Sequence, residues 1–348
     1  MLSYLKIGVF AAAVSFLITP AVRILSHKVG AIDVPKDDRR MHTKPTPRLG
    51  GLAIYFSVLL SMVVFMWPLS KELQAILLGG SIIVVSGYLD DTKGLTPSMK
   101  VLFQLIAALI AVYGGIHVET ISNFLGEKGS VISLGFISYP ITVLWIIGVT
   151  NAINLIDGLD GLADGISAIS AISLAIISYM LGNLEIGMVC LIIAGACLGF
   201  LPYNFNPASI FMGDTGALLL GYLFAVITIE GVLKTAATVA VVVPVIILAV
   251  PISDTLFAII RRTLGGQSFA TADKGHLHHR ILDMGFTTKQ TVLILYSLAI
   301  ILGILAVIVS LIGGLLGNLL ALGIIIIITL GARRIGMFEP TSKTPEEE

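Results

Sequence analysis

The chain is predicted to be an all-α polytopic membrane protein, and three features of its sequence carry that prediction. Hydrophobic residues fill 56% of its 348 positions and charged residues only 12%. Mean hydropathy accordingly reaches +1.00. The apolar residues also come in long blocks of about 17 to 25, the length of a membrane-spanning helix, and do not alternate with polar ones as in a half-buried sheet.

These blocks predict about eleven helices, near residues 4–25, 49–67, 73–89, 99–116, 139–154, 163–181, 184–201, 214–230, 236–261, 289–313 and 316–333, with ends good to a few residues. The first resembles a signal peptide, but Ala11 to Ala13 lie within the apolar stretch and no A-x-A-type site follows. It is expected to be a retained helix. The second opens after RLGG, and the third closes on Asp90-Asp91. Lys100 lies one turn into the fourth, and the fifth runs into NAINLIDGLDGLADG. Leu181-Gly182-Asn183 joins the sixth to the seventh, and Gly313-Gly314-Leu315 joins the last two. Links this short force antiparallel neighbours. The eighth opens at Asp214, and the ninth contains Pro251 and Asp254. Cys190 and Cys197 sit inside one apolar block, where small helix residues explain them better than a metal site or a disulfide.

Alternating sides from the first helix sorts the basic residues. Of the 21 Lys and Arg, all but Lys6, Lys71, Lys128 and Lys234 fall on one side. The positive-inside rule makes that side cytoplasmic, with the N-terminus outside and the C-terminus inside. Every polar-rich loop then faces the cytoplasm: 26–48, 90–98, 155–162, 202–213 and 262–288. The external stretch 117–138 is expected to form a small hairpin. Residues 1–348 read as one membrane domain, with 333–348 a cytoplasmic tail ending in Glu346 to Glu348. Net charge is zero, and no bulk field argues for nucleic acid.

Five segments could do chemistry. Asp90-Asp91 ends an apolar helix, where ionisable groups mark function by default. Capping and turn formation need only one Asp, and two close carboxylates share a proton or hold a cation. Lys100 could answer one of them or contact a phosphate. Asn151, Asn154 and Asp157 recur every three residues, and Asp160 follows between Gly158 and Gly161. Carboxamides and carboxylates presented together suit a nucleobase and ribose, or metal-bound phosphate; a polar helix junction is the plainer reading. In PYNFNPASIFMGDTG, Asp214 is an N-cap candidate, yet one oxygen could cap while the other binds metal. His276, His278, His279 and Arg280 form a basic group that suits a cationic clamp on an anionic substrate better than zinc. The first loop offers Lys44 and Arg48 to phosphate, with prolines and glycines fixing its path. Asp254 is a lone acid in an apolar helix and receives no chemical role.

RLGG, DD, NAINLIDGLDG, GDTG and HLHH, in this order and on one side of the membrane, resemble the polyprenyl-phosphate N-acetylhexosamine-1-phosphate transferase family over about residues 20–290. The His276-Leu277-His278-His279-Arg280 pattern is similar to the N-acetylglucosamine-1-phosphate branch. The muramoyl-pentapeptide branch usually carries three consecutive histidines followed by Phe-Glu, and about ten helices.

The resemblance implies transfer of GlcNAc-1-phosphate from UDP-GlcNAc to undecaprenyl phosphate at the cytoplasmic face of a bacterial inner membrane, releasing UMP. It implies Mg²⁺, with Mn²⁺ as a substitute, on Asp214. Asp90 or Asp91 would deprotonate or orient the acceptor phosphate, assisted by Lys100. Asn151, Asn154, Asp157 and Asp160 would hold the nucleotide; the histidines, with His279 among the catalytic groups, and Arg280 would face sugar and diphosphate. A homodimer is compatible with the sequence. The rival readings are the muramoyl-pentapeptide enzyme and, from another class, a secondary transporter, whose acids belong at the membrane midplane.

Overall fold

The computed structural model describes residues 2–34, 45–122, 131–233, 242–266 and 275–339. Among them are thirteen α-helices: α1 (Leu2–Val29), α2 (Gly51–Met66), α3 (Lys71–Lys93), α4 (Pro97–Tyr113), α5 (Ser138–Ile156), α6 (Leu162–Met180), α7 (Leu184–Asn204), α8 (Gly213–Thr228), α9 (Val242–Ile247), α10 (Ala249–Leu264), α11 (Leu277–Asp283), α12 (Thr288–Ile312) and α13 (Gly314–Arg334). Two short antiparallel pairs accompany them, β1 (Ile32–Asp33) with β2 (Thr46–Pro47), and β3 (Thr120–Ser122) with β4 (Val131–Ser133). The second pair is the hairpin expected in 117–138.

Among the described residues eight helices are long and apolar enough to cross a membrane, and α2 and α4 are shorter apolar helices of 16 and 17 residues. Large apolar side chains such as Leu17, Leu311, Leu316 and Ile327 point outward, more than two-thirds of the surface of each exposed. Water would penalise such a surface, whereas lipid accepts it. The chain is an all-α polytopic membrane protein.

Local chemistry sets the helix ends. Ser70, Thr96 and Asn183 accept hydrogen bonds from the first-turn amides of Leu73, Met99 and Ile186. Thr287 and Gln290 form a reciprocal capping box at α12. Gly313, at φ +57° and ψ −174°, makes the α12–α13 turn that an L side chain would strain.

Helix α8 is the axis of the bundle, buried from Thr215 to Thr228 and flanked by α2, α3 and α5. Glycines allow this packing. A Cβ on Gly51 would lie 2.1 Å from the Gly216 nitrogen, and one on Gly87 would lie 2.3 Å from the Thr215 Cα. Between apolar helices in lipid, close van der Waals contact of small residues replaces the hydrophobic drive. The α1–α7 contact follows the same rule, since a Cβ on Gly195 would lie 2.1 Å from the Gly8 carbonyl oxygen. Gly195→Val is therefore expected to cost about 1–3 kcal/mol, seen as a lower melting temperature of the purified protein; an unchanged melt would refute this contact as a stabilising one.

Four expectations are corrected. Helix α3 runs beyond residue 89 to Lys93 and places Asp90 and Asp91 on its last turn, not in a loop. The described part of the 236–261 block is two helices, α9 and α10, divided at Leu248. Pro251 has no N–H for the Ile247 carbonyl, which breaks the ladder there. His278 and His279 lie on α11, with His276 as its N-cap, and apolar periodicity did not reveal this seven-residue helix. The start of the expected tail is packed down, with Met337 buried and its carbonyl accepting from Arg261.

Candidate active site

The C-terminal ends of α3, α5 and α7, the N-terminus of α8, and α11 meet at one end of the bundle. They enclose a cavity of about 430 Å³ lined by Asp33, Arg48, Asp91, Asn154, Asp157, Gly158, Leu159, Asp160, Asn204, Asn206, Phe211, Met212, Gly213, Asp214, His279 and Thr288. Four of the five segments singled out in the sequence supply part of this wall through Asp91, the Asn154–Asp160 stretch, Asp214 and His279; Arg48 brings the fifth.

Backbone pairing holds the Arg48 segment in place. Phe211 N–H donates to the Pro47 carbonyl at 2.7 Å, Gly50 N–H to Phe211 at 2.9 Å and Gly51 N–H to Met212 at 2.9 Å. RLGG is thereby knitted to FMGD. The Arg48 guanidinium reaches the end of α3, donating to the Asp91 carbonyl through Nε at 3.0 Å and NH2 at 2.7 Å.

The two adjacent aspartates have different jobs. Consecutive helix residues point about 100° apart. Asp91 is buried, and its carboxylate accepts from Asp214 N–H at 3.1 Å, Thr215 N–H at 3.0 Å and Thr215 Oγ1 at 2.6 Å. It caps α8 from another helix. Asp90 instead accepts from Leu95 N–H at 2.7 Å and pairs with Lys100 Nζ at 2.8 Å. Lys100 also reaches Asp214 Oδ2 at 2.6 Å, and Asn154 donates to Asp214 Oδ1 at 3.3 Å. Because Asp91 satisfies the amides, Asp214 is not the cap of its own helix, and its side chain turns to Lys100, Asn154 and the cavity. Gly213, at φ +70°, permits the approach: a Cβ there would lie 2.1 Å from the Arg48 carbonyl oxygen and 2.6 Å from Asp91 Oδ2.

Asp157 ends α5 at the cavity wall. Burial, then the nearby carboxylates of Asp214, Asp91 and Asp160, push its pKa up to about 8. Asp160 accepts from Asn206 Nδ2 at 3.1 Å and Ala208 N–H at 3.0 Å, which ties the DGLDG turn to the loop after α7. Asn204 completes this join by accepting from Gly161 N–H at 3.0 Å.

Other sequence-based site residues lie elsewhere. Asn151 exchanges hydrogen bonds with buried Gln104, at 2.8 and 3.3 Å, and serves the α4–α5 contact. Of the basic group, only His279 lines the cavity. His276 pairs with Asp254 at 2.7 Å. His278 packs on Gly158, and burial, with His279 beside it, lowers its pKa to about 3, which leaves it neutral. Arg280 turns to the Glu339 carbonyl at 2.8 Å. The expected four-residue cationic clamp is thus not assembled, because most of its members are spent on packing α11. Lys44 lies outside the described residues. Asp33, Gln104, Asn204, Asn206, Thr215 and Asp254 received no site role from the sequence. Asn204 and Asn206 stood within PYNFNP, but their partners are remote in sequence.

Among the described residues no three His, Cys, Asp or Glu side chains gather as a preformed metal cage. Mg²⁺ does not require one, since one or two carboxylates with water and substrate phosphates suffice. An acidic wall containing Asp157 and Asp214 fits that habit.

The chain matches the model of glycosyl transferase family 4 over residues 73–232. It is 40% identical to a probable undecaprenyl-phosphate N-acetylglucosaminyl 1-phosphate transferase of Bacillus subtilis (strain 168), covering 84% of this chain and 81% of that one. It is 34% identical to a decaprenyl-phosphate N-acetylglucosaminephosphotransferase of Mycolicibacterium smegmatis, over 83% and 78% of the two chains. Identity to a phospho-N-acetylmuramoyl-pentapeptide-transferase of Clostridium botulinum is 31%, over 84% and 92%. With that likeness extending along most of each chain, the protein belongs to the polyprenyl-phosphate N-acetylhexosamine-1-phosphate transferase family.

Proposed function

We propose that this protein transfers GlcNAc-1-phosphate from UDP-GlcNAc to undecaprenyl phosphate. An oxygen of the lipid phosphate attacks the sugar-linked phosphorus, the bond from that phosphorus to the UMP oxygen breaks, and UMP leaves. The observation that carries the reading is the acidic cavity itself, lined by Arg48, Asp157 and Asp214, with Lys100 bridging Asp214 to Asp90. The GlcNAc-transferring relatives, at 40% and 34% identity against 31% for the muramoyl-pentapeptide enzyme, favour this branch.

Phosphoryl transfer asks a protein mainly for positioning and charge neutralisation. Asp214 and Asp157 would hold Mg²⁺, which supplies charge neutralisation on the donor diphosphate. Lys100 and Arg48 hold phosphate oxygens. Asp90 orients the acceptor phosphate, whose second pKa of about 6 leaves it mostly ionised without a strong base. Asn154 and Asp160 face the nucleotide, and His279 faces the sugar. Residues 1–348 act as one domain, and the cavity end, which carries Arg48, Lys93, Lys100, Arg262, Lys289 and Arg333, faces the bacterial cytoplasm.

Purified protein given undecaprenyl phosphate and either UDP-GlcNAc or UDP-MurNAc-pentapeptide tests this. UMP release with UDP-GlcNAc alone is expected. Release with only the other donor would move the chain to the rival branch, and release with neither would reject a transferase.

The raised Asp157 pKa gives a second expectation. Between about 4 and about 8 the folded state holds a proton that the unfolded chain, near 3.8, has lost. Stability without metal therefore falls as pH rises through that window. A cation takes the proton's place, so Mg²⁺ should raise the melting temperature more at pH 8 than at pH 5. Equal Mg²⁺ effects at both pH values, measured against EDTA, would contradict a carboxylate site at Asp157.

A further inference from the structure

Asp254 lies in α10, just past the Pro251 break, and is 1% exposed. Its Oδ2 lies 2.7 Å from His276 Nδ1, and its Oδ1 accepts from Leu277 N–H at 2.6 Å. His276 is the N-cap of α11 but makes no side-chain cap bond to its own helix. The missing cap is supplied by Asp254 from α10. Asp254 also lines a second cavity, of about 330 Å³, whose other walls, apart from Ser253, are apolar groups such as Phe257, Leu302 and Ile324. That low-dielectric side strengthens the hydrogen bonds and makes an unpaired carboxylate costly.

The arrangement continues toward the reacting groups. The His276 and His278 rings stack at 5.9 Å and 5°, and the His278 and His279 rings lie 4.3 Å apart. His278 rests on Gly158, where a Cβ would come within 2.5 Å of Nε2. His279 lines the active cavity. A carboxylate only accepts, so the proton shared with His276 sits on Nδ1.

We propose that Asp254 is a positioning residue: its carboxylate holds His276 with a proton on Nδ1, caps α11, and thereby sets where His279 stands at the cavity wall. The effect on turnover rests on the transferase reading above, whereas the effect on His276 does not. An amide at position 254 would still accept from Leu277 N–H, but its NH₂ would face His276 Nδ1. That swap moves the imidazole proton to Nε2, the inversion expected when a buried carboxylate partner of histidine becomes an amide.

The test uses the full-length protein with ¹⁵N-labelled histidine, the His276 signal being identified by its loss in His276→Gln. A protonated Nδ1 is expected in the natural protein, and an unprotonated Nδ1 there would overturn the proposal whatever the variants do. In Asp254→Asn the proton should move to Nε2, and kcat should drop about 10- to 100-fold with little change in donor KM. Asp254→Asn added to His276→Gln should slow the enzyme no further than the slower single variant. Additive losses, or an unchanged kcat in Asp254→Asn with its tautomer inverted, would overturn the positioning role. If no donor supports UMP release from the natural protein, the transferase reading fails, and the tautomer and α11 cap are still judged by the NMR signal.

Discussion

Asp214→Asn is expected to lower kcat by about 10²–10³-fold while leaving the melting temperature nearly unchanged. Its carboxylate is not used to hold α8, because Asp91 already receives the amides of Asp214 and Thr215. What the substitution removes is a negative charge placed between Lys100 and Asn154 on the cavity wall. The neutral amide keeps the shape but no longer attracts a cation, so the Mg²⁺ concentration for half-maximal activity should rise as well. UMP release measured across a Mg²⁺ titration checks both effects. Unchanged activity and metal dependence would remove Asp214 from the site.

The second large effect separates neighbours. Asp91→Ala strands three donors at the start of α8, the two of Thr215 buried, at a cost of about 2–4 kcal/mol, and should lower the melting temperature by several degrees. Asp90→Asn loses only a partly exposed ion pair, worth about 1 kcal/mol or less, so its stability should hold while turnover falls. Thermal unfolding and UMP release on both variants check this. Equal losses of stability would mean that the two aspartates do not divide capping from chemistry.

Much of the architecture was legible because helix-length apolar blocks have few other uses. The hairpin at 117–138, the tight links at Gly182 and Gly313, and the placing of Cys190 and Cys197 inside one buried helix all match the reading of the sequence. Helix α11 was not legible, because seven residues are too few to display a period. Its anchor, Asp254, is 22 positions from His276 and looked like a stray acid. The break at Leu248 left only Pro251 as a sign, and proline alone does not say whether a helix kinks or divides.

Composition and motif order were enough to establish a multi-pass helical protein with carboxylates, carboxamides and basic residues suited to phosphate chemistry at one end. Those are properties of residue type and local spacing, and the chain carries them wherever it folds. Which acid caps a helix and which pairs with Lys100 was decided only by packing. Asp91 meets Thr215 across 124 positions. One helix step, about 100°, sends Asp90 to Lys100 instead. The same holds for the histidines, whose chemistry is alike in sequence and diverges once Asp254 takes His276, burial neutralises His278, and His279 alone reaches the cavity. Side-chain identity names the chemistry available, but burial, and partners brought from distant helices, choose which group performs it.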